Sequence, residues 1–455
     1  MIQTDNLSEI ERRYLWHPFT QMQDWEAEEP LFIESAQGVY LKGRDGRTYY
    51  DGNSSMWLNV HGHCRPELNQ AIIDQLGKAA HTTLLGLTHE PAARLAERLV
   101  QIAPKSRSAD PDRDLSRVFY SDDGSTAVEV ALKMAYQYWK QSDPAGGRSH
   151  YLALSEGYHG DTIGAVSVGK IGRFHSIFQS LLFPVDFIGS PSTCKTAAEA
   201  IVPLQKALEE EPGKYFAFIL EPRVQLAGGV LVQPDGYLKL VREVCDKYGV
   251  LLIADEVATG FGRTGTMFAC EQDGIAPDFL CLGKGITGGY LPLAATLTTP
   301  QIYSAFLADY TEWKSFTHGH SYTGNPLACA AALASLDLFE QDSLIDTLAP
   351  KIAFMSAALT RFLELEHVQE IRQCGMIAGI VLAKDKANGI DYAATDAIGP
   401  HVCRKARERG LITRSLGSVI TLLPPLVSTV EEIDAMLSIL YAAVIEGTQK
   451  VQANA

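Results

Sequence analysis

Two charged residues stand where a soluble fold disfavours charge. Asp255 ends the apolar run Val250–Ala254, which has the length and composition of a buried parallel strand. Lys284 follows a second apolar run, Phe279–Leu282, and sits between Gly283 and Gly285. A buried charge is costly unless it is paired or put to use. An acid and an amine, each at the end of an apolar strand, suit one chemistry. The amine forms a Schiff base with pyridoxal 5'-phosphate, and the acid keeps the pyridine nitrogen protonated so that the ring accepts electrons. For either residue alone, a structural salt bridge at a sheet edge is the favoured reading. The two together, with the features that follow, favour the chemistry.

Such a cofactor needs a phosphate site and a ring contact. Val118–Tyr120 reads as a short strand and Ala127–Lys140 as an amphipathic helix, which puts Gly124 and Ser125 at a helix N-terminus. Backbone N–H groups and the helix dipole favour a phosphate there, although Ser and Asp are also ordinary caps. Ser321, in the segment Phe316–Pro326, is a further hydroxyl able to donate to a phosphate oxygen. Tyr158 lies between Gly157 and Gly160 after the strand Tyr151–Leu154, so its ring is placed either to stack on a flat cofactor or to pack on the surface. Arg414 comes straight after the strand Leu411–Thr413, where a guanidinium can grip a carboxylate in bidentate fashion. The pairs His61/His63 and His318/His320 have metal-like spacing. No third ligand lies near the first pair, and no metal is expected at either. Gly260–Gly265 is glycine-rich but lacks the Gly-Lys-Ser/Thr ending of a P-loop, and reads as a loop.

The elements that must position these groups alternate between strand and helix from about residue 118 to 340. That pattern implies an α/β fold with a mainly parallel sheet covered on both faces. Right-handed crossovers put the strand C-termini on one rim, where ligands bind; Glu221, Asp255 and Lys284 all fall at such ends. Residues 1–65 read as an entry segment with short strands, 66–340 as the large domain, and 341–455 as a smaller α+β domain. The aromatic pieces Trp16–Phe19 and Ser54–Trp57 serve either the core or a substrate wall.

Acidic residues outnumber basic ones, 54 to 39, for a net charge of −15, which argues against a nucleic-acid partner. The eight cysteines are scattered with no C-x-x-C pair, which suggests neither zinc nor a disulfide framework and fits a reducing compartment. The sequence shows no signal peptide and no membrane-spanning run, so a cytoplasmic protein is expected.

Asp255-Glu-Val-Ala-Thr-Gly-Phe-Gly-Arg-Thr-Gly265 with Lys284 resembles the signature of the class III aminotransferases, fold-type I pyridoxal phosphate enzymes, and the likeness runs along nearly the whole chain. Trp16–Thr20, Gly157–Thr162, Ala258–Gly260 and His318–Pro326 are similar to the members that aminate the ketone of 8-amino-7-oxononanoate in biotin biosynthesis. The resemblance implies a ping-pong transaminase. It makes Lys284 the Schiff-base lysine and Asp255 the pyridinium partner. Gly124 and Ser125 hold the phosphate, and Tyr158 stacks on the ring. Gly319, His320 and Ser321 reach the site from the second subunit of a homodimer with shared active sites, and Arg414 binds the substrate carboxylate. Phe19, Met56 and Trp57 fall on the substrate wall. Many members use S-adenosylmethionine as amino donor and carry Tyr, Trp, Pro and Tyr where this chain has Phe19, Met56, His320 and Thr421. In Ser54–His63 and Leu84–Thr88 the chain resembles a branch whose donor is lysine, and a sulfonium would lose the aromatic faces from which it benefits. The competing functions are an ω-amino acid transaminase of ornithine, aminobutyrate or β-alanine type, and a non-catalytic cofactor carrier.

Overall fold

The computed structural model describes residues 7–106 and 110–452. Seven strands form the central sheet: β1 (Arg117–Ser121), β2 (His150–Leu154), β3 (Val185–Ile188), β4 (Tyr215–Leu220), β5 (Leu251–Asp255), β6 (Phe279–Leu282) and β7 (Ala294–Thr298). Their spatial order is β1-β7-β6-β5-β4-β2-β3. Only β7 runs against its neighbours; the other pairs are parallel. The central strands β4, β5 and β6 are buried at every position. Their sequences are continuous apolar runs because helices cover both faces and leave no solvated side.

Separate packed cores form on either side of this sheet. Ala127, Val130, Ala131 and Ala135 of the helix Gly124–Ser142 pack with Phe216 and Ile219. On the other side Leu220, Leu252 and Leu282 join a larger cluster with Leu238 and Val241 of the helix Tyr237–Tyr248.

The chain's two ends meet in space. The strand Thr48–Asp51 pairs in parallel with Leu411–Ile412, so the N-terminal segment shares a sheet with the C-terminal part. Arg263, fully buried, ties both to the large sheet's loops. It donates to the carbonyls of Pro424 and Asn59 and to Ser54 Oγ, at 2.7, 3.2 and 3.2 Å. A buried cation is tolerable when its donors are satisfied in this way.

Four elements differ from the sequence reading. The sequence pattern predicts one helix near 197–210; it breaks into Ala197–Ala200 and Val202–Glu210, because Pro203 lacks an N–H and clashes with the preceding turn. The sequence pattern also predicts a helix over 348–365; it ends at Leu359 and tightens into a 3-10 turn, Thr360–Glu364. The edge strand β3 and the last helix, Val430–Gln452, have no counterpart in that reading.

Candidate active site

The rim at the C-terminal ends of β4, β5 and β6 opens on a cavity of about 690 Å³ lined by Glu221, Asp255, Lys284, Tyr158, Gly124 and Trp57 among others. The parallel crossovers bring these residues together from widely separated points of the sequence.

Lys284 sits at the first turn after β6 with φ 45°. A non-glycine residue held in the left-handed region stores on the order of 1–3 kcal/mol of strain, which recurs at active sites. Its neighbours must be glycine for packing reasons. A Cβ on Gly285 would meet Phe261 Cβ at 2.9 Å, and one on Gly283 would press Gly124 Cα at 3.3 Å. The amine has no ion-pair partner among the described residues and lies over the Trp57 ring, 5.1 Å from its centre. Burial holds it below the ordinary lysine range, against the pull of Asp255 and Glu221. A lowered amine pKa is what a nucleophile or proton carrier near neutral pH needs.

Asp255 is buried and accepts two hydrogen bonds. Val257 N donates to Oδ1 at 3.1 Å, and His159 Nδ1 donates to Oδ2 at 2.7 Å. His159 is itself buried, and its Nε2 has no partner among the described residues. Sequence reasoning misses His159, although it lies inside the quoted stretch Gly157–Thr162; its partner is 96 residues away. Glu256 plays a different part. Fully buried, it accepts from Ala269 N, Cys270 N and Thr259 Oγ1 at 2.7, 2.8 and 3.2 Å and braces the loop after β5. Burial pushes its carboxyl up to about 7.

Gly124 opens the helix Gly124–Ser142, capped by Asp123, whose side chain accepts from Thr126 N. A Cβ on Gly124 would strike Val257 Cγ1 at 2.4 Å. Ser125 Oγ accepts from Thr162 N at 3.0 Å and lies 2.8 Å from Thr162 Oγ1, which fastens the helix start to the loop after β2. Tyr158 hangs from that loop. Its N–H donates to Glu221 Oε1 at 3.1 Å, and its hydroxyl to Asp161 Oδ2 at 2.7 Å. Glu221 also accepts from Leu226 N, and burial pushes its carboxyl up to about 7.

Arg414 and Met56 meet outside the cavity lining, with Arg414 Nη1 2.6 Å from Met56 Sδ. Burial lowers the guanidinium's affinity for its proton. Phe19 packs edge-on against Phe174 at 5.6 Å. Gly319, His320 and Ser321 do not line this chain's cavity; His320 Nδ1 lies 2.9 Å from Asp122 Oδ2. His61 and His63 turn to separate partners, Ser335 and Asp51, and burial lowers the His61 ring to about 4. Among the described residues, no group of three or more His, Cys, Asp or Glu is placed to hold a metal.

An unpaired lysine, a buried carboxylate held on both oxygens, a facing tyrosine and a glycine-opened helix N-terminus converge on one cavity. These are the fixtures that pyridoxal 5'-phosphate requires, and they stand on a fold of pyridoxal phosphate-dependent transferase type. The comparisons agree. The chain belongs to the class III aminotransferase family, whose model, "Aminotransferase class-III", matches residues 21–444, and its cofactor is pyridoxal 5'-phosphate.

Among curated relatives, it is 48% identical over 444 residues to the adenosylmethionine-8-amino-7-oxononanoate aminotransferase of Geobacter sulfurreducens, covering 95% of this chain and 96% of that one. The crystal structure of the enzyme so named from Methanocaldococcus jannaschii superposes with a TM-score of 0.92 at 43% identity, covering 97% and 98% of the two chains. An omega transaminase from Pseudomonas jessenii in complex with PMP superposes with a TM-score of 0.91 at 29% identity, covering 99% and 100%.

Proposed function

We propose that this chain aminates the ketone of 8-amino-7-oxononanoate, giving the 7,8-diamine of biotin biosynthesis, with L-lysine as amino donor. The observation that carries the aminotransferase part is the Lys284 amine, unpaired and depressed by burial, in one cavity with Asp255. The acceptor follows from relatives named for it at 48% and 43% identity over nearly the whole chain.

When bound, the cofactor supplies an aldehyde to hold the amino group and a ring to accept electrons. Lys284 would hold the cofactor's aldehyde carbon, and its freed amine would carry the proton taken from the substrate's amine-bearing carbon. Asp255 would face the ring nitrogen, and His159 keeps that carboxylate oriented. The first turn at Gly124 and Ser125 binds the phosphate, and Tyr158 covers the ring face and excludes water. Arg414 binds the substrate carboxylate, beside Phe19, Met56 and Trp57. The order is ping-pong, with the donor's keto product leaving before the acceptor enters.

Gly319, His320 and Ser321 complete the site of a second copy in a homodimer. Large exposed apolar side chains, Leu85, Tyr310 and Trp313 among them, support burial against such a copy. Among the described residues, no helix is long and apolar enough to cross a membrane; we place the reaction in the cytoplasm. The domain division at 65/66 and 340/341 belongs to the same proposal.

The donor assignment departs from the relatives' names, which carry adenosylmethionine. Its support is the residue types near Arg414: Phe19 has no hydroxyl, the buried Thr421 is short, and Met56 puts a thioether against Arg414 where an aromatic face would favour a sulfonium. The test is turnover of 8-amino-7-oxononanoate with each donor, followed by mass spectrometry. Turnover with ornithine or 4-aminobutyrate, and none with 8-amino-7-oxononanoate, would move the assignment to an ω-amino acid transaminase.

A further inference from the structure

Behind the cavity wall, two side chains meet that take no part in the steps above. Asn53 and Thr421 are buried. Asn53 Oδ1 accepts from Trp57 Nε1 at 3.1 Å and lies 3.3 Å from Thr421 Oγ1. Asn53 Nδ2 donates to the Ser55 carbonyl at 3.2 Å, which sets the orientation of the amide. The Thr421 hydroxyl also lies 3.0 Å from the Arg414 carbonyl oxygen, to which Thr421 N donates at 3.0 Å. A threonine hydroxyl carries a single proton. Here it is shared between the carbonyl of Arg414 and the amide that holds Trp57.

The loop so held is strained. Ser54, Ser55 and Trp57 have φ of 48°, 59° and 67°. Backbone of this kind persists only where its surroundings over-determine it. Asp51 secures the near end, accepting Ser55 N at 2.8 and 2.9 Å on its two oxygens, with His63 Nε2 2.8 Å from Oδ2. The far end carries the indole against which Lys284 Nζ rests, and Asn53 with Thr421 holds it.

We propose that Thr421, acting through Asn53, is a specificity-determining positioning residue. Its hydroxyl couples the backbone at Arg414, between the strands Leu411–Ile412 and Ser415–Leu416, to the Trp57 indole, and so sets the span between the carboxylate-binding guanidinium and the reacting amine. The consequence for substrates rests on the reading of Arg414 and Trp57 given above; the coupling itself does not.

Thr421→Val keeps the β-branch and the volume on its strand and removes the hydroxyl. The test uses the cofactor-loaded enzyme labelled with 5-fluorotryptophan, whose chain holds five tryptophans, with the Trp57 resonance assigned from Trp57→Phe. In Thr421→Val the Trp57 line shifts while the other four stay. The KM of the carboxylate substrate rises about five- to tenfold, the loss expected of one net hydrogen bond, with kcat within about twofold. Thr421→Ser returns both readouts. Thr421→Ala, also without the hydroxyl, serves the same comparison if valine lowers the yield of folded protein. An unmoved Trp57 line, or a moved line with KM unchanged, overturns the proposal. If the wild type transaminates no carboxylate substrate, the functional reading falls, and the fluorine line alone then decides the coupling.

Discussion

Gly124→Ala is the smallest change that should cripple the cofactor site. The added Cβ would lie 2.4 Å from Val257 Cγ1 and 3.0 Å from Cγ2. Val257 has little room to turn away. Its backbone N–H is held by Asp255 Oδ1, and its β-branched side chain is stiff. Relief must come from the helix start, which carries the N–H groups offered to the phosphate. Overpacking of this kind costs about 1–3 kcal/mol. If that cost falls on the bound state, the cofactor dissociation constant rises roughly five- to 150-fold. The assay is titration of cofactor-free protein with pyridoxal 5'-phosphate, read by quenching of tryptophan fluorescence, with the melting temperature of the cofactor-free protein as a check on folding. Val257→Ala removes both clashing methyls, so the double variant should recover at least half of the lost affinity on a logarithmic scale. Affinity within twofold of wild type for Gly124→Ala, or a double variant as weak as the single, would refute the reasoning.

Lys284→Ala should lose steady turnover and the visible absorbance of the protein-linked cofactor; retention of both would remove the lysine from its assigned role. His159→Ala strips the donor from Asp255 Oδ2, a hydrogen bond to a charged group worth about 1.5–3 kcal/mol. The expected result is a kcat roughly ten- to 150-fold lower with cofactor still bound, measured beside a pH titration of the cofactor absorbance. Burial depresses the Lys284 amine, so between its lowered pKa and the ordinary value the native cofactor-free protein binds fewer protons than the unfolded chain. Stability must therefore rise with pH through that window. Lys284→Met, uncharged throughout, should lose that part of the slope in urea unfolding measured across it. Arg414→Met should raise the KM for carboxylate substrates far more than it lowers kcat, and leave cofactor affinity unchanged by direct titration.

Asp255 and Lys284 were legible because each ends a strand buried on both faces. Such strands are unbroken apolar runs, and a charge at their end stands out. Gly124 and Ser125 were legible from the strand–glycine–helix order. What escaped was pairing at a distance. Nothing in Asp255-Glu256 says which carboxylate faces the cavity; that depends on Ala269 and Cys270 offering their amides to Glu256. His159 carried no signal of its own, since a histidine beside a tyrosine in a glycine loop reads as loop filler until Asp255 is folded against it. The Asn53–Thr421 contact joins residues 368 apart in sequence. The last helix is a different kind of miss. Ile433, Met436, Leu437 and Leu440 are buried at helical spacing, so the periodicity was there to be read. His320 and Ser321 come from the resemblance alone, and they lie outside this chain's cavity lining.

The most direct test is to mix the purified, cofactor-loaded protein with L-lysine and, separately, with S-adenosylmethionine, then add 8-amino-7-oxononanoate and measure 7,8-diaminononanoate by mass spectrometry. Bleaching of the cofactor absorbance by L-lysine, followed by diamine formation, is the predicted result. Bleaching and diamine formation with S-adenosylmethionine alone would contradict the donor assignment, and no diamine with either donor would contradict the proposed reaction itself.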